Sequence, residues 1–254
     1  MRPATILIAV ALGGATSTAR AGEARCWRDN GAVVVAAALG DIAGDFILDL
    51  SAPRSQLHLT VAQAFGVETP SKDATLRLAG EAIPASFVVT DLDARGAGFP
   101  TSIAGVIGED ALAGYVVRLQ LSPCRLTLGR ARAGLPRASQ VLRLKTVAGV
   151  PAVTATISDG RSSQEGLFAI DTSSWGVKIS DAIAAFPPGV KPQTAARIAG
   201  VEFGGDLISR APASLEPQTP GGLVGALGDV VWSRYAWIRL DVRAGRLELG
   251  PAVR

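Results

Sequence analysis

Histidine, cysteine and methionine are nearly missing from this 254-residue chain, which has one His, two Cys and one Met. One His cannot supply a His-rich metal site, and two Cys cannot build a four-thiolate zinc or iron–sulfur centre. Any Ser–His–Asp or Cys–His mechanism would have to run through His58. Charge is also scarce, at 19% Asp, Glu, Lys and Arg, while glycines number 29 and prolines 15. That balance excludes a coiled coil and a disordered polyelectrolyte. What is abundant is apolar residue, 48% of the chain, enough to bury a core in one large domain or two small ones.

The N-terminus reads as an export signal over residues 1–21. Arg2 is a short basic start, Ala4 to Ala15 is apolar apart from Thr5 and two glycines, and Ala19-Arg20-Ala21 offers small residues for cleavage. The apolar stretch falls short of the about 20 residues that a stable membrane helix needs. A periplasmic or extracellular location without stable membrane insertion is the expectation. Removing Arg2 and Arg20 with no acid lowers the formal net charge from +3 to +1, so the mild basicity gives no reason to expect a nucleic-acid partner. In an oxidising compartment Cys26 and Cys124 can form a disulfide, with two unpaired thiols as the alternative.

The chain repeats itself. Gly44-Asp45-Phe46-Ile47-Leu48-Asp49-Leu50-Ser51 returns as Gly166-Leu167-Phe168-Ala169-Ile170-Asp171-Thr172-Ser173, each an apolar strand ending in Asp-x-Ser. Short helical segments follow at Thr60 to Phe65 and Ser180 to Phe186. Further on, Gly105-Val106-Ile107-Gly108-Glu109-Asp110 matches Gly222-Leu223-Val224-Gly225, with Asp229 shortly after. Both halves pass a tyrosine, Tyr115 or Tyr235, and close with an alternating hairpin: 116–121 with 125–129, and 238–242 with 246–250. Two motifs in one order at similar spacing read as a duplication. The expected organisation is residues 22–129, a basic linker 130–145 and residues 146–254. The linker has five basic residues and no acidic one, and reads as solvated.

An Asp at a strand end is ordinarily a turn former or helix cap. A duplicated Asp is different, because two related lobes can bring one from each to a shared interface. Two close carboxylates hold one proton between them. The ionised member can then activate a water against a peptide carbonyl while the protonated member donates to the carbonyl oxygen. No His, Cys, metal or cofactor is required.

The strand–Asp–x–Ser element with its later apolar-apolar-Gly block and closing hairpin resembles the retropepsin-like and pepsin-like aspartic proteases. The resemblance covers about residues 31–129 and 146–250, and is nearest the exported bacterial type with two retropepsin-like lobes fused in one chain. It implies an all-β, bilobal fold of two pseudo-two-fold related β-barrel lobes with short helices. It implies a catalytic dyad of Asp49 and Asp171, with Ser51, Thr172 and Ser173 supporting the active-site loops. A fused pair needs no second copy, so a monomer acting on polypeptides is expected. Two departures stand out. Leu50 replaces the Thr or Ser whose hydroxyl helps lock the loops, and Ser51 and Ser173 replace the usual Gly. The alternative is therefore an inactive protease-fold protein that binds extended peptides in the cleft. A purely structural protein, with the two Asp far apart, is a third reading.

Flap hairpins are expected around Gly80-Glu81 and Gly200. The Gly221-to-Gly228 run lacks the order and the Lys-Ser/Thr ending of a phosphate loop. His58, between two leucines, reads as a surface or satisfied strand residue, and Trp175 as core or a subsite wall.

Overall fold

A computed structural model describes residues 22–130, 136–161, 163–180, 196–216 and 221–253. The expected export signal, and the second helical segment from residue 181 on, lie outside the described residues. The N-terminal lobe runs β1 (Glu23–Asp29), β2 (Ala32–Leu39), β3 (Ile42–Leu48), β4 (Gln56–His58), α1 (Leu59–Ala64), β5 (Ser71–Leu78), β6 (Glu81–Thr90), α2 (Asp93–Gly96), β7 (Ile103–Ile107), α3 (Glu109–Leu112), β8 (Val116–Leu121) and β9 (Cys124–Gly129). The second half contributes β10 (Gln140–Arg143), β11 (Lys145–Val147), β12 (Val150–Ser158), β13 (Ser163–Ile170), β14 (Val177–Ser180) and β15 (Ala196–Arg197). It continues with β16 (Gly200–Phe203), β17 (Asp206–Ser209), β18 (Pro212–Glu216), β19 (Gly225–Leu227), α4 (Asp229–Trp232), β20 (Trp237–Asp241) and β21 (Arg246–Leu249).

In the N-terminal lobe the order β2-β3-β7-β4-β6-β5 closes into a barrel because β5 pairs back onto β2, Leu76 opposite Leu39. The second lobe repeats its central order. β3 with β7 is parallel, β7 with β4 antiparallel and β4 with β6 parallel. β13 with β19, β19 with β14 and β14 with β18 follow the same senses. Under the lobes runs a linking sheet ordered β10-β21-β20-β8-β9-β1. The stretch read as a solvated linker thus supplies a strand, β10, paired with β21.

Strand alternation explains how a nearly continuous apolar run such as Ala32-Val33-Val34-Val35 is used. Val33 and Val35 enter the main core, with Phe46 edge-on to Phe87 at 6.0 Å. Val34, with Ala32, Ile47, Ala52, Ile103 and Val106, faces outward and is covered by Leu92 and the half-buried Phe99 and Trp27. Each fully buried side chain of this size contributes roughly 1.5–3 kcal/mol of hydrophobic stabilisation. Residues 91–102 are therefore pinned onto the barrel wall, and Trp27 meets Phe99 edge-on at 6.0 Å. The second lobe centres on Phe203, edge-on to Trp232 at 5.4 Å and to Tyr235 at 6.4 Å.

The closing hairpins form as expected, β8 with β9 and β20 with β21. The bridge between Cys26 and Cys124 is made, joining β1 to the start of β9. The expected flaps are not flaps. The first hairpin turns at Ala79-Gly80, and beyond the turn Glu81 reaches Arg130 at 3.9 Å, at the end of β9. The second turns at Gly204-Gly205 rather than at Gly200, and the Gly204 carbonyl accepts a hydrogen bond from Gln140 on β10. Both tips dock on the linking sheet. The turn glycines and alternating strands look the same in sequence whichever way a hairpin points.

Candidate active site

Asp49 follows β3 and Asp171 follows β13, and each donates its backbone N–H to the strand beside it: Asp49 to Ile107 O and Asp171 to Leu227 O, both at 3.0 Å. Register fixes the second repeated block. Phe46 lies opposite Gly105 and Phe168 opposite Gly225, so Val106-Ile107-Gly108 corresponds to Ala226-Leu227-Gly228. Residue order alone sets Gly105 against Gly222, three residues early. Close backbone approach explains the two glycines. A Cβ on Gly108 would lie 2.7 Å from Arg54 C, and one on Gly228 2.2 Å from Gly176 O. Those contacts let Glu109 N–H reach Ala52 O at 2.8 Å and Asp229 N–H reach Ser174 O at 2.9 Å.

The lobes meet at the Asp loops. Ala32 forms a bridge with Ser173, and Val33 N–H donates to Thr172 O at 2.9 Å. Thr172 Oγ1 donates to Leu48 O at 2.6 Å and accepts from Leu50 N–H at 3.2 Å, crossing from one loop to the other. Half of the hydroxyl lock expected from the resemblance is thus made. At the other half, Leu50 is 2% exposed and packs in the main core, so an apolar anchor stands where a second hydroxyl would be. Replacing Thr172 by Val should orphan the buried Leu50 N–H and lower stability by about 1.5 kcal/mol. Denaturant unfolding checks this, and a Thr172→Ser variant should recover most of the loss.

The carboxylates are buried, and every one of their oxygens accepts at least one hydrogen bond or ion pair. Asp49 Oδ1 accepts from Ser51 N–H at 2.9 Å and Ser51 Oγ at 2.6 Å, and Oδ2 from Arg95 Nη2 at 2.6 Å. Asp171 Oδ1 accepts from Ser173 N–H at 2.7 Å and Ser173 Oγ at 2.9 Å. Its Oδ2 accepts from Ser174 Oγ at 2.6 Å and lies 3.0 Å from Lys178 Nζ. The serines in place of glycine thus contribute both N–H and hydroxyl to the carboxylate they follow. Burial opposes charge on Asp49, but Arg95, the Ser51 hydrogen bond and Lys178 outweigh it, leaving its pKa below the ordinary 3.8. Lys178 is likewise opposed by burial and held up by Asp171, Asp49 and Glu216, with its pKa above the ordinary 10.5. Lys178 therefore acts electrostatically on both carboxylates, and it lines one space with Asp49 and with Ser173, two residues after Asp171.

That space is an open cleft of about 410 Å³ lined by Ile47, Asp49, Arg95, Phe99, Ser173 and Lys178. Neither β-hairpin contributes to its lining. Arg95 and Phe99 come from residues 91–102, the segment pinned on the outer barrel wall. Lys178 comes from β14, where it occupies the place that Gln56 has in the first lobe: Gln56 pairs with Val106 and Lys178 with Ala226. Sequence reasoning missed both cations. For Lys178 a signal existed, since it follows Asp171 by seven residues as Gln56 follows Asp49. Arg95, on a four-residue helix, looks like any solvated charge.

Trp175 is 52% exposed and outside the cleft lining, so it is neither core nor a wall of this site. Trp232 is the buried tryptophan here, donating its indole N–H to Leu227 O at 2.6 Å and Asp171 O at 3.1 Å. His58 is a satisfied strand residue with a task. Its Nδ1 accepts from Leu92 N–H at 3.3 Å, which puts the proton on Nε2, 3.2 Å from Asp93 Oδ1. It thereby clamps the turn that delivers Arg95. His58, Asp91 and Asp93 could by position surround a cation, within 4.8 Å of one another. Both ring nitrogens are already committed to hydrogen bonds, which argues against that use.

No protein-family model and no curated protein sequence matches the chain. Among solved structures it is similar to an aspartic proteinase from Irpex lacteus, at TM-score 0.55 and 13% identity over 91% of this chain and 97% of that one. The fold is the bilobal, pepsin-like all-β fold, with few short helices.

Proposed function

We propose that the protein is a non-hydrolytic member of this fold, holding polypeptide segments in the inter-lobe cleft. One observation carries the reading: each Asp that would form the dyad is ion-paired to a cation of the same molecule, Asp49 to Arg95 and Asp171 to Lys178. A working dyad needs one protonated carboxyl to donate to the scissile carbonyl and one ionised carboxylate to take a proton from water. The two cations occupy one oxygen of each carboxylate, where the water would be held, and Arg95 favours the ionised form of Asp49. The peptidase reading keeps one specific support, the Thr172 lock with the Ser173 and Ser174 hydroxyls on Asp171. It requires both cations to leave.

Further parts of the proposal are export to the periplasm or outside the cell, and a monomeric state. The export reading is supported by the signal-like residues 1–21 and the Cys26–Cys124 bridge. Among the described residues no helix is long and apolar enough to cross a membrane. The test is incubation with a mixed peptide library from about pH 3 to 7, beside an Asp171→Asn variant. Retention of peptides without new termini, in both proteins, is the expected result. Cleavage by the parent and not by the variant would establish the peptidase instead.

A further inference from the structure

The four charges of the cleft are not level. The side chains of Asp49 and Asp171 are 6% and 0% exposed, whereas those of Arg95 and Lys178 are 34% and 31% exposed. The carboxylates are sealed from solvent while the cation side chains, both in the cleft lining, stay reachable, so a ligand meets the positive groups first. Hydrogen-bonding capacity is arranged in the same sense. A carboxylate oxygen has two acceptor positions. Oδ1 of Asp49 and both oxygens of Asp171 are filled by Ser51, Ser173, Ser174 and Lys178. Arg95, by contrast, spends one of its five N–H donors on Asp49, and Lys178 one of its three on Asp171. The site is rich in spare donors and poor in spare acceptors.

From this we infer that the cleft recognises a carboxylate, from a peptide's C-terminus or an acidic side chain, held by Arg95 and Lys178. The inference rests on the binding reading above and names its ligand class. The buried Asp partners keep the cation heads in place before the ligand arrives, which lowers the ordering cost of binding. A planar guanidinium suits a carboxylate in particular, offering two parallel N–H bonds. Ile47 and the half-buried Phe99 line the same space and offer apolar contact to the residue that bears or precedes the carboxylate. A cationic ligand would meet like charge at the mouth.

Calorimetric titration of the protein at low ionic strength, with three peptides, tests this. The peptides are acetyl-Ala-Ala-Phe with a free carboxylate, the same peptide amidated, and amidated acetyl-Ala-Glu-Ala-Phe. The free acid, the Glu peptide or both should bind at least about tenfold more tightly than the neutral amide. Which of the two wins identifies the C-terminus or the side chain as the source. Arg95→Gln and Lys178→Gln should each weaken that binding about tenfold, and added salt should weaken it further. Asp171→Asn should tighten it, because Lys178 loses its internal counter-charge. Asp49→Asn should act likewise through Arg95, which covers the case in which the first variant does not fold. Equal binding of all three peptides overturns the inference, as does weaker binding to a folded Asp→Asn protein. Cleavage of any peptide overturns the non-hydrolytic reading itself, an outcome distinct from loss of the carboxylate preference.

Discussion

Replacing Cys26 and Cys124 together by alanine is expected to lower the free energy of unfolding by about 4 kcal/mol. The bridge closes a sequence separation of 98, and in the chain-entropy account longer loops gain more from closure. Position adds to length. β1 is shared between the two parts of the molecule, pairing through Glu23–Arg25 with β9 of the linking sheet and through Cys26–Asp29 with β2 of the barrel. The two residues after Cys26 pack behind the site. Trp27 packs edge-on to Phe99, a lining residue of the cleft, and Arg28 ion-pairs with Asp229 at the start of α4. Denaturant unfolding of parent and double variant gives the number, and an unchanged slope with a lower midpoint assigns it to stability rather than to altered compactness. Equal midpoints would mean that β1 holds its register by pairing alone. Because β1 carries Trp27, the double variant should also bind a cleft ligand more weakly once the temperature approaches its lowered transition.

Much of the frame is legible in residue order, for reasons that are local. Alternation in 116–121 and 246–250 reports a half-buried sheet directly, and the apolar run into each Asp-x-Ser reports a strand buried on both faces. Register is less legible. Leu223-Val224-Gly225 and Ala226-Leu227-Gly228 both satisfy an apolar-apolar-Gly pattern. What selects the second as partner of Val106-Ile107-Gly108 is the ladder, Ile170 opposite Leu227 as Leu48 is opposite Ile107. Hairpin direction is not legible, because the turn at Ala79-Gly80 is specified by its own residues while its docking on Arg130 is set by the barrel's closure. The charge state of the site is hidden most deeply. Arg95 stands 46 residues from Asp49, and its approach depends on Leu92, Phe99 and His58 pinning a short segment that has no periodicity of its own. Leu50 is correspondingly the lesser departure. Its side chain finds an apolar use, and the feature that bears on turnover is the pair of cations.

Removing one of those cations has the second large effect, and its pH dependence identifies the cause. Arg95→Met should destabilise the protein by about 2.5 kcal/mol near neutrality. This is below the range for breaking a fully buried pair, since Arg95 is 34% exposed and partly screened by solvent. In the parent the folded pKa of Asp49 lies below 3.8, so its stabilising contribution is present above that value and is lost as pH falls through the folded pKa. Without Arg95 the largest influence on Asp49 is burial, which pushes the carboxyl upward. Its folded pKa should then exceed the unfolded one. In that case stability is full at acid pH and is lost as pH rises through the raised value. The gap between parent and variant should therefore be widest near pH 7, shrink as pH falls through the variant's raised value, and shrink further below 3.8 as the parent loses its own contribution. Unfolding free energies across that range, with a carboxyl titration of Asp49 by NMR, provide the measurement. A gap independent of pH would assign the loss to Arg95's packing and remove its charge from the account of the site. On the non-hydrolytic reading the single variant should also show no peptidase activity, because Lys178 still pairs with Asp171 and acts on Asp49.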